Sequence, residues 1–567
     1  MNIFKKLLPF AVIVILSYFS YKPLLGPGFF PIHDDTQVAR VYEMTKSLKD
    51  GLFPVRWVED LGYGYGYPIF NYYNPFPYYL GGFLGLFGID ALLATKTVML
   101  LGILLSGFTM FILARQFWDD LGGILAALFY VYAPYHAVDI YIRGDIAEFW
   151  AYAFIPLVFY GLWKTFKEKK FVYVAFTSII YALLIASHNL TAMMVSPFLL
   201  AFVIYLIAKN KKELIINSLY LFSSLFLGII ISAFYWFPAL LEINFSNVLS
   251  QIGGGADFRD HFVCLPQLWT SIWGYGGSVR GCTDGVSFMI GKYHILTSLI
   301  LFTVSVIFIF WKKNSSLINK EKDKLLLIII AFAAFLTSVF FTLELSGPLW
   351  EFIKPMEFFQ FPWRFLLMAS FFSSFISGGL LLFVFKFTKN INLKYIWPAF
   401  IFLFIVSVSL KFFVPQIKLS KESADYTSDF NLKWTASRIS DEYMPKNFIK
   451  PKSYNEIKSF NSLRGTDIVL QSLSKKTQEI NLELNVLKDT SIIFSIAYFP
   501  SWKAYVDSNP AEITNKDGQI LIKVKSGLHK INFKFVSTPV QTVSNLISIA
   551  GILAITIGII YSSRKHE

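Results

Sequence analysis

Long apolar runs separated by short polar clusters fill the chain up to about residue 414, and short alternating runs then take over until a last apolar run near the end. A helix needs about 20 apolar residues to cross a bilayer. Runs of that kind lie at 8–25, 91–113, 119–135, 146–163, 171–187, 190–208, 214–240, 295–311, 325–343, 364–386, 395–413 and 541–562. They predict about twelve transmembrane helices. The first follows Lys5-Lys6 as a signal peptide would, but it is long and lacks a small-residue cleavage site, so it is expected to stay as an anchor. The apolar piece 77–87 is interrupted by Gly81, Gly82 and Gly85 and is too short to cross, which predicts a helix lying at the membrane surface.

Segment 415–540 carries no long apolar run. Alternating stretches at 492–497, 520–524 and 530–535, parted by turn residues at 508–510, 515–518 and 526–527, read as strands. The expected architecture is mainly α and polytopic: a transmembrane domain over 1–414, a small β-sandwich over 415–540 and an anchor over 541–567.

Composition agrees, since 55% hydrophobic residues, 16% charged residues and a mean hydropathy of +0.53 exclude a single soluble core. The net charge of +14 does not point to nucleic acid, because the basic residues cluster between apolar runs. Clusters at 5–6, 164–170, 209–212, 312–324, 386–394 and 564–565 mark cytoplasmic ends. Alternating the spans then leaves both termini in the cytoplasm of a cell-membrane protein. Loops 26–90, 135–148 and 242–294, with segment 415–540, fall outside. Cys264 and Cys282 share one of those loops, where a disulfide is expected.

The outer loops hold the candidate chemistry. His33-Asp34-Asp35 places two carboxylates at the membrane edge, where acids are costly. A helix N-cap explains one of them and not both. Gly62-Tyr63-Gly64-Tyr65-Gly66-Tyr67-Pro68 lacks the Lys-Ser/Thr of a phosphate loop and reads as an aromatic turn, in which Tyr65 and Tyr67 suit a headgroup layer or a sugar. In the second loop Asp145 and Glu148 lie three apart at a helix start, beside Arg143, whose planar fork suits phosphate. His188 breaks two spans, and Arg364 opens another from the same side, as a snorkelling anchor or a lipid-phosphate ligand.

Acids and cations at the mouth of a helical bundle suit glycosyl transfer from a lipid-phosphate sugar, with a carboxylate as general base and cations or a divalent metal on the leaving phosphate. Expected catalytic residues are Asp35, Asp34 and Glu148, and expected binding residues are His33, Arg143, Asp145, His188, Arg364, Tyr65 and Tyr67. Asp35 with Glu148 is the candidate pair for a divalent cation such as Mg or Mn.

The stretch from His33-Asp34-Asp35 through 51–57 to 62–73 resembles the YfhO-like bacterial membrane proteins, also labelled "6-pyruvoyl-tetrahydropterin synthase-related". Arg143-Gly144-Asp145 with Glu148, Ser187-His188-Asn189, 361–364, 498–502 and 527–529 add to the likeness. The resemblance implies a GT-C glycosyltransferase fold and a polyprenyl-phosphate sugar donor, with the base falling on Asp34 or Asp35 and a slight preference for Asp35. It also implies a glycan, lipid or protein acceptor in the cell envelope. Nothing here matches the zinc-binding histidines of the pterin enzyme. A flippase for a lipid-linked saccharide, or a noncatalytic envelope-assembly protein, would share the spans, although no internal duplication of the transporter kind is present.

Overall fold

The computed structural model describes residues 3–253, 256–311, 316–382, 393–460 and 467–564. Parts of the basic clusters at 312–324 and 386–394, and Lys565, lie outside the described residues.

The chain is mainly helical, with antiparallel sheets near its C-terminus. Among the described residues eight helices are long and apolar enough to cross a membrane, nine if one bent pair is a single span, so the expectation of about twelve is not established. Several expected spans change form. The run 8–25 breaks at Ser17 into two helices inclined by 62°. Residues 91–131 form one long helix interrupted at Asp119, whose φ of 66° is left-handed. The run 214–240 divides into Leu214–Ile231 and Ala233–Leu241. Phe171–Ser187 and Ile396–Phe412 are apolar but shorter than the rest.

The piece at 77–87 becomes the eleven-residue helix Phe76–Leu86. Its glycines are the contact face against the helix Gln37–Lys49: a Cβ at Gly82 would stand 2.6 Å from Met44, and one at Gly85 would stand 2.3 Å from Thr45. Residues without side chains let the two axes close together. That packing presses the first long loop onto the bundle.

Among the described residues the first strand begins at 468, inside the segment expected from 415 and ahead of the stretch read at 492–497, and the strands form a sandwich of two sheets. One sheet has the order β1(Ile468–Lys476), β2(Glu479–Val486), β8(Gly527–Phe535), β4(Trp502–Val506), β5(Asn509–Ala511); the other has β3(Thr490–Ala497), β7(Gln519–Val524), β6(Thr514–Lys516). On β2 the alternate residues Ile480, Leu482, Leu484 and Val486 are buried, as a half-buried strand requires. Of residues 508–510, expected as a turn, Ser508 forms the reversal together with Asp507, both at positive φ, while Asn509 and Pro510 supply β5.

The sandwich is not held by its last helix alone. One apolar core runs from Trp57, Tyr63, Tyr65 and Tyr67 of the first loop into Phe494, Trp502 and Phe533 of the sandwich. Trp57 lies 5.5 Å from Trp502 and 5.4 Å from Phe535. Lys475 of β1 reaches Glu59 at 2.8 Å. The glycine-tyrosine turn is the joint: Gly62, Tyr63, Gly64 and Gly66 all take positive φ, so the chain coils tightly and turns its rings inward. A Cβ at Gly66 would stand 2.2 Å from the Trp57 ring. Gly66→Ala should therefore destabilise the protein by roughly 2 kcal/mol or more through strain and overpacking, read as a lower unfolding midpoint in detergent; an unchanged midpoint would show that the joint can yield.

Candidate active site

The connections 26–36, 133–145, 187–189, 257–291 and 343–365 meet at one end of the bundle, while the pairs Lys164–Glu168, Lys169–Glu213 and Lys209–Asp323 mark the other. Backbone hydrogen bonds bring the first two connections together. The amide of His33 donates to Ile142 at 2.9 Å, and that of Asp34 to Arg143 at 3.0 Å.

Arg143 is the centre. Its guanidinium contacts Asp139 at 2.6 Å, Glu148 at 3.0 Å and Asp145 at 3.1 Å, and lies over the Trp363 ring at 4.8 Å. Sequence reasoning missed Asp139, which reaches Arg143 because it starts a one-turn π-helix four residues before it. Asp145 caps the helix Ile146–Glu168 by accepting from the Glu148 amide at 3.1 Å, and the cap turns Glu148 inward. Glu148 is fully buried: Tyr135 donates to its Oε1, while Arg143 and Arg364 contact its Oε2. Arg364 arrives from the start of another helix at 3.3 Å from Glu148, and its buried Nη1 has no hydrogen-bond partner among the described residues.

Asp34 and Asp35 face different ways. Asp34 shares the electrostatic field of Asp145, Arg40, Arg143 and Arg364. Burial, then Asp145, push its carboxyl above the ordinary range against the pull of the three arginines. Asp35 instead faces Lys421 at 3.8 Å. The preference for Asp35, and its pairing with Glu148 around a cation, do not match this arrangement: the turn at 33–36 sets Asp35 against Lys421, while Asp34 lies in the field of the arginines. Arg40, also missed, is buried under Tyr73 at 4.2 Å and donates to Ser440 at 3.0 Å. A lone arginine within an amphipathic helix gave no signal of that role.

His188 is buried beside Asp145 and Glu148. Burial lowers it to about 4 despite those carboxylates, so it is neutral near pH 7. Its Nδ1 accepts from the Thr191 amide at 3.2 Å, which places the ring hydrogen on Nε2. Three expected binders lie elsewhere. His33 is exposed and its Nε2 meets the Tyr275 carbonyl at 2.9 Å. Tyr65 accepts from the Lys458 amide at 3.0 Å and Tyr67 from the Tyr443 amide at 3.2 Å, both sealed within the joint to the sandwich. Their aromatic density served packing, a use that spacing alone does not separate from stacking on a ligand.

The expected disulfide Cys264–Cys282 closes a strap over this end, with a Cα separation of 5.5 Å. Tyr275 in the strap meets His33, and Ser278 accepts from the Trp363 indole at 3.1 Å. The strap thus fixes the ring against which Arg143 lies.

Asp145, Glu148 and His188 bring ligand atoms within 4.8 Å of one another, a spacing that a divalent cation could bridge. The donor set does not fit one. Glu148 Oε1 accepts from Tyr135, its Oε2 is ion-paired with Arg143 and Arg364, and a cation on Glu148 would face two guanidinium groups. Below the site an apolar pocket of about 80 Å³ is lined by Phe159, Phe198 and Phe372. They lie eight to eleven residues along the helices that start near Glu148, His188 and Arg364, roughly 12–16 Å deeper at the helical rise.

Residues 70–250 match the family model described as "6-pyruvoyl-tetrahydropterin synthase related domain; membrane protein". An uncharacterized protein of Lactococcus lactis subsp. cremoris (strain MG1363) is 26% identical over 321 residues, which cover 55% of this chain and 50% of that protein. The chain thus spans about half the length of the curated relative it matches. Among solved structures, the Archaeoglobus fulgidus oligosaccharyltransferase tethered to an acceptor peptide aligns with a TM-score of 0.43 at 14% identity, over 81% of this chain and 61% of that one. Arabinofuranosyltransferase AftD from Mycobacteria aligns at 0.42 and 13% identity, over 74% and 28%. ArnT from Cupriavidus metallidurans, bound to undecaprenyl phosphate, aligns at 0.30 and 10% identity, over 73% and 90%. Likeness of that size decides nothing about the reaction.

Arg143→Met would leave three acids facing one another in a buried volume and should destabilise the protein by about 3–5 kcal/mol, measured by denaturant unfolding in detergent. The arginines outweigh burial and hold Asp145 at about 2, below its unfolded value. Its contribution to stability is therefore present above the ordinary carboxylate range and is lost as pH falls toward 2. In Asp145→Asn that acid-side loss should shrink; an identical acid transition would contradict the pairing.

Proposed function

We propose that the protein is a membrane glycosyltransferase that moves a sugar from a polyprenyl-phosphate donor to an acceptor on the extracytoplasmic side of the cell membrane. The reading rests on one juxtaposition: Asp34 and the arginine-bound acids converge at the bundle end, with an apolar pocket beneath them on the same helices.

Each group has a chemical use. Asp34 accepts the proton of the acceptor hydroxyl, and a carboxyl raised above the ordinary range by burial is a stronger general base. The acceptor oxygen bonds to the anomeric carbon as the bond from that carbon to the phosphate oxygen breaks. Charge left on the departing polyprenyl phosphate falls to Arg364, whose Nη1 has no hydrogen-bond partner among the described residues, with Arg143 behind it. Glu148, Tyr135 and Asp145 keep both guanidinium groups aimed, and the neutral His188 offers its Nε2 hydrogen to a sugar or phosphate oxygen. The apolar pocket would take part of the prenyl tail. Two arginines occupy the place that a divalent ion would need, so the proposed reaction requires none.

Asp34→Asn in proteoliposomes should lower sugar transfer from a polyprenyl-phosphate donor by about 10²–10⁴-fold while leaving the unfolding midpoint near that of the parent. Transfer unchanged in this variant would sink the assignment, and lipid translocation without transfer would point to a flippase. Because the Asp34 carboxyl is raised, the acid limb of the rate should lie above the ordinary carboxylate range, with activity falling as pH drops through it. Chelation of divalent ions should leave the rate unchanged; a strict requirement for Mg or Mn would show that the arginines are displaced in the working enzyme.

A further inference from the structure

A second pocket, of about 610 Å³, opens between the end of the helix Tyr18–Leu25, the start of the helix Ala91–Val131 and residues 421–424. It lies beside Asp35, because Lys421 on its wall is the residue that Asp35 faces at 3.8 Å. The neighbouring Asp34 looks the other way, into the field of Arg143 and Asp145. The two carboxylates of one motif thus border two different compartments.

The walls of this pocket differ in kind. Leu25 and Leu93 are 56% and 52% exposed, on helix ends at the edge of the apolar bundle. Opposite them stand charges of both signs, Asp90, Lys96, Lys421 and Glu422. The rim is fixed by bonds within the protein: Lys96 donates to the carbonyls of Gly26 and Gly28, and Asp90 accepts from the Leu93 amide at 3.0 Å. Among the described residues Lys421 is held by its long contact with Asp35 and by the Tyr426 ring at 4.8 Å, and it remains able to donate to a ligand. A phosphate would meet Asp90 and Glu422, with Asp35 behind Lys421, and a cation would meet Lys96 and Lys421, with Lys418 beside Gly26. Hydroxyl groups pair with both signs. The volume lies within the range of about 300–1,000 Å³ usual for small-molecule sites.

We propose that this pocket holds the acceptor, and that the acceptor is a membrane lipid with an uncharged, hydroxyl-rich head group. The proposal rests on the transfer function above. The apolar wall takes the start of the lipid chain, while Lys421 and Asp35 bind hydroxyls of the head group at the edge of the 33–35 segment, whose other side carries Asp34. Donor and acceptor then enter from opposite sides of the 33–35 segment.

The test uses the full chain in vesicles containing a photoactivatable diacylglycerol glucoside. Labelling should concentrate on peptides spanning 22–28, 90–100 and 418–424, and Lys421→Met, or Leu93→Trp at an exposed position, should reduce it about tenfold, the equivalent of 1.4 kcal/mol. Labelling spread evenly over the lipid-facing helices, or untouched by both variants, would overturn the site. Equal competition by phosphatidic acid would overturn the head-group class. In the transfer assay Lys421→Met should raise the half-saturating concentration of the glucoside about tenfold and leave that of the donor unchanged; no change in the glucoside dependence would reject the acceptor role. Should Asp34→Asn retain transfer, the enzymatic reading fails while the labelling experiment still reports on the pocket.

Discussion

The clamp of Arg143 by Asp139, Asp145 and Glu148 organises this end of the molecule. Burying four ionisable groups is costly unless each is paired and hydrogen-bonded, so the clamp exists only while the 133–145 connection and the helix beginning at Ile146 keep their geometry. That geometry is local. A π-turn places Asp139 beneath the arginine, and a helix cap aims Glu148 inward. The first loop then joins this connection through two backbone hydrogen bonds, and Arg364 docks on the Glu148 oxygen that Arg143 already contacts.

Much of this was legible in the chain. Asp145, Glu148, His188 and Arg364 stood out because charged residues beside long apolar runs are expensive, and the structure places them together. The disulfide followed from two cysteines in one loop. The preference between Asp34 and Asp35 was not legible, because adjacent residues differ only in where the backbone turns them. Asp139 and Arg40 escaped notice because each sits among ordinary helix-forming neighbours and gains its partner through tertiary contact. Tyr65 and Tyr67 misled in the opposite sense, since rings that pack and rings that bind ligands look alike in sequence.

The boundary at 415 marked a real change of composition but not a separate body. Segment 415–460 carries no strand, and Tyr426, Leu432 and Met444 sink into cores shared with residues far upstream. Hydropathy reports where polar residues lie and is silent on which apolar faces meet. The two inward-facing surfaces, one on the 51–75 loop and one on the sandwich, are each too small to remain dry alone. They share one core for that reason.

Arg56 shows what such sharing demands in time. Its buried guanidinium donates to Asn71 nearby, to the carbonyl of Phe234 in mid-chain and to Asn545 in the last helix, 489 residues further on. Glu242 and Gln541 join the same network. At about 5–20 residues per second of synthesis, the last partner emerges roughly 25–100 s after the first. Until then the first loop carries a charge whose final hydrogen bonds do not yet exist. The joint around Arg56 is therefore completed only after Asn545 has emerged, and a chain that stalls before the helix Pro539–Arg564 leaves that arginine without its Asn545 partner.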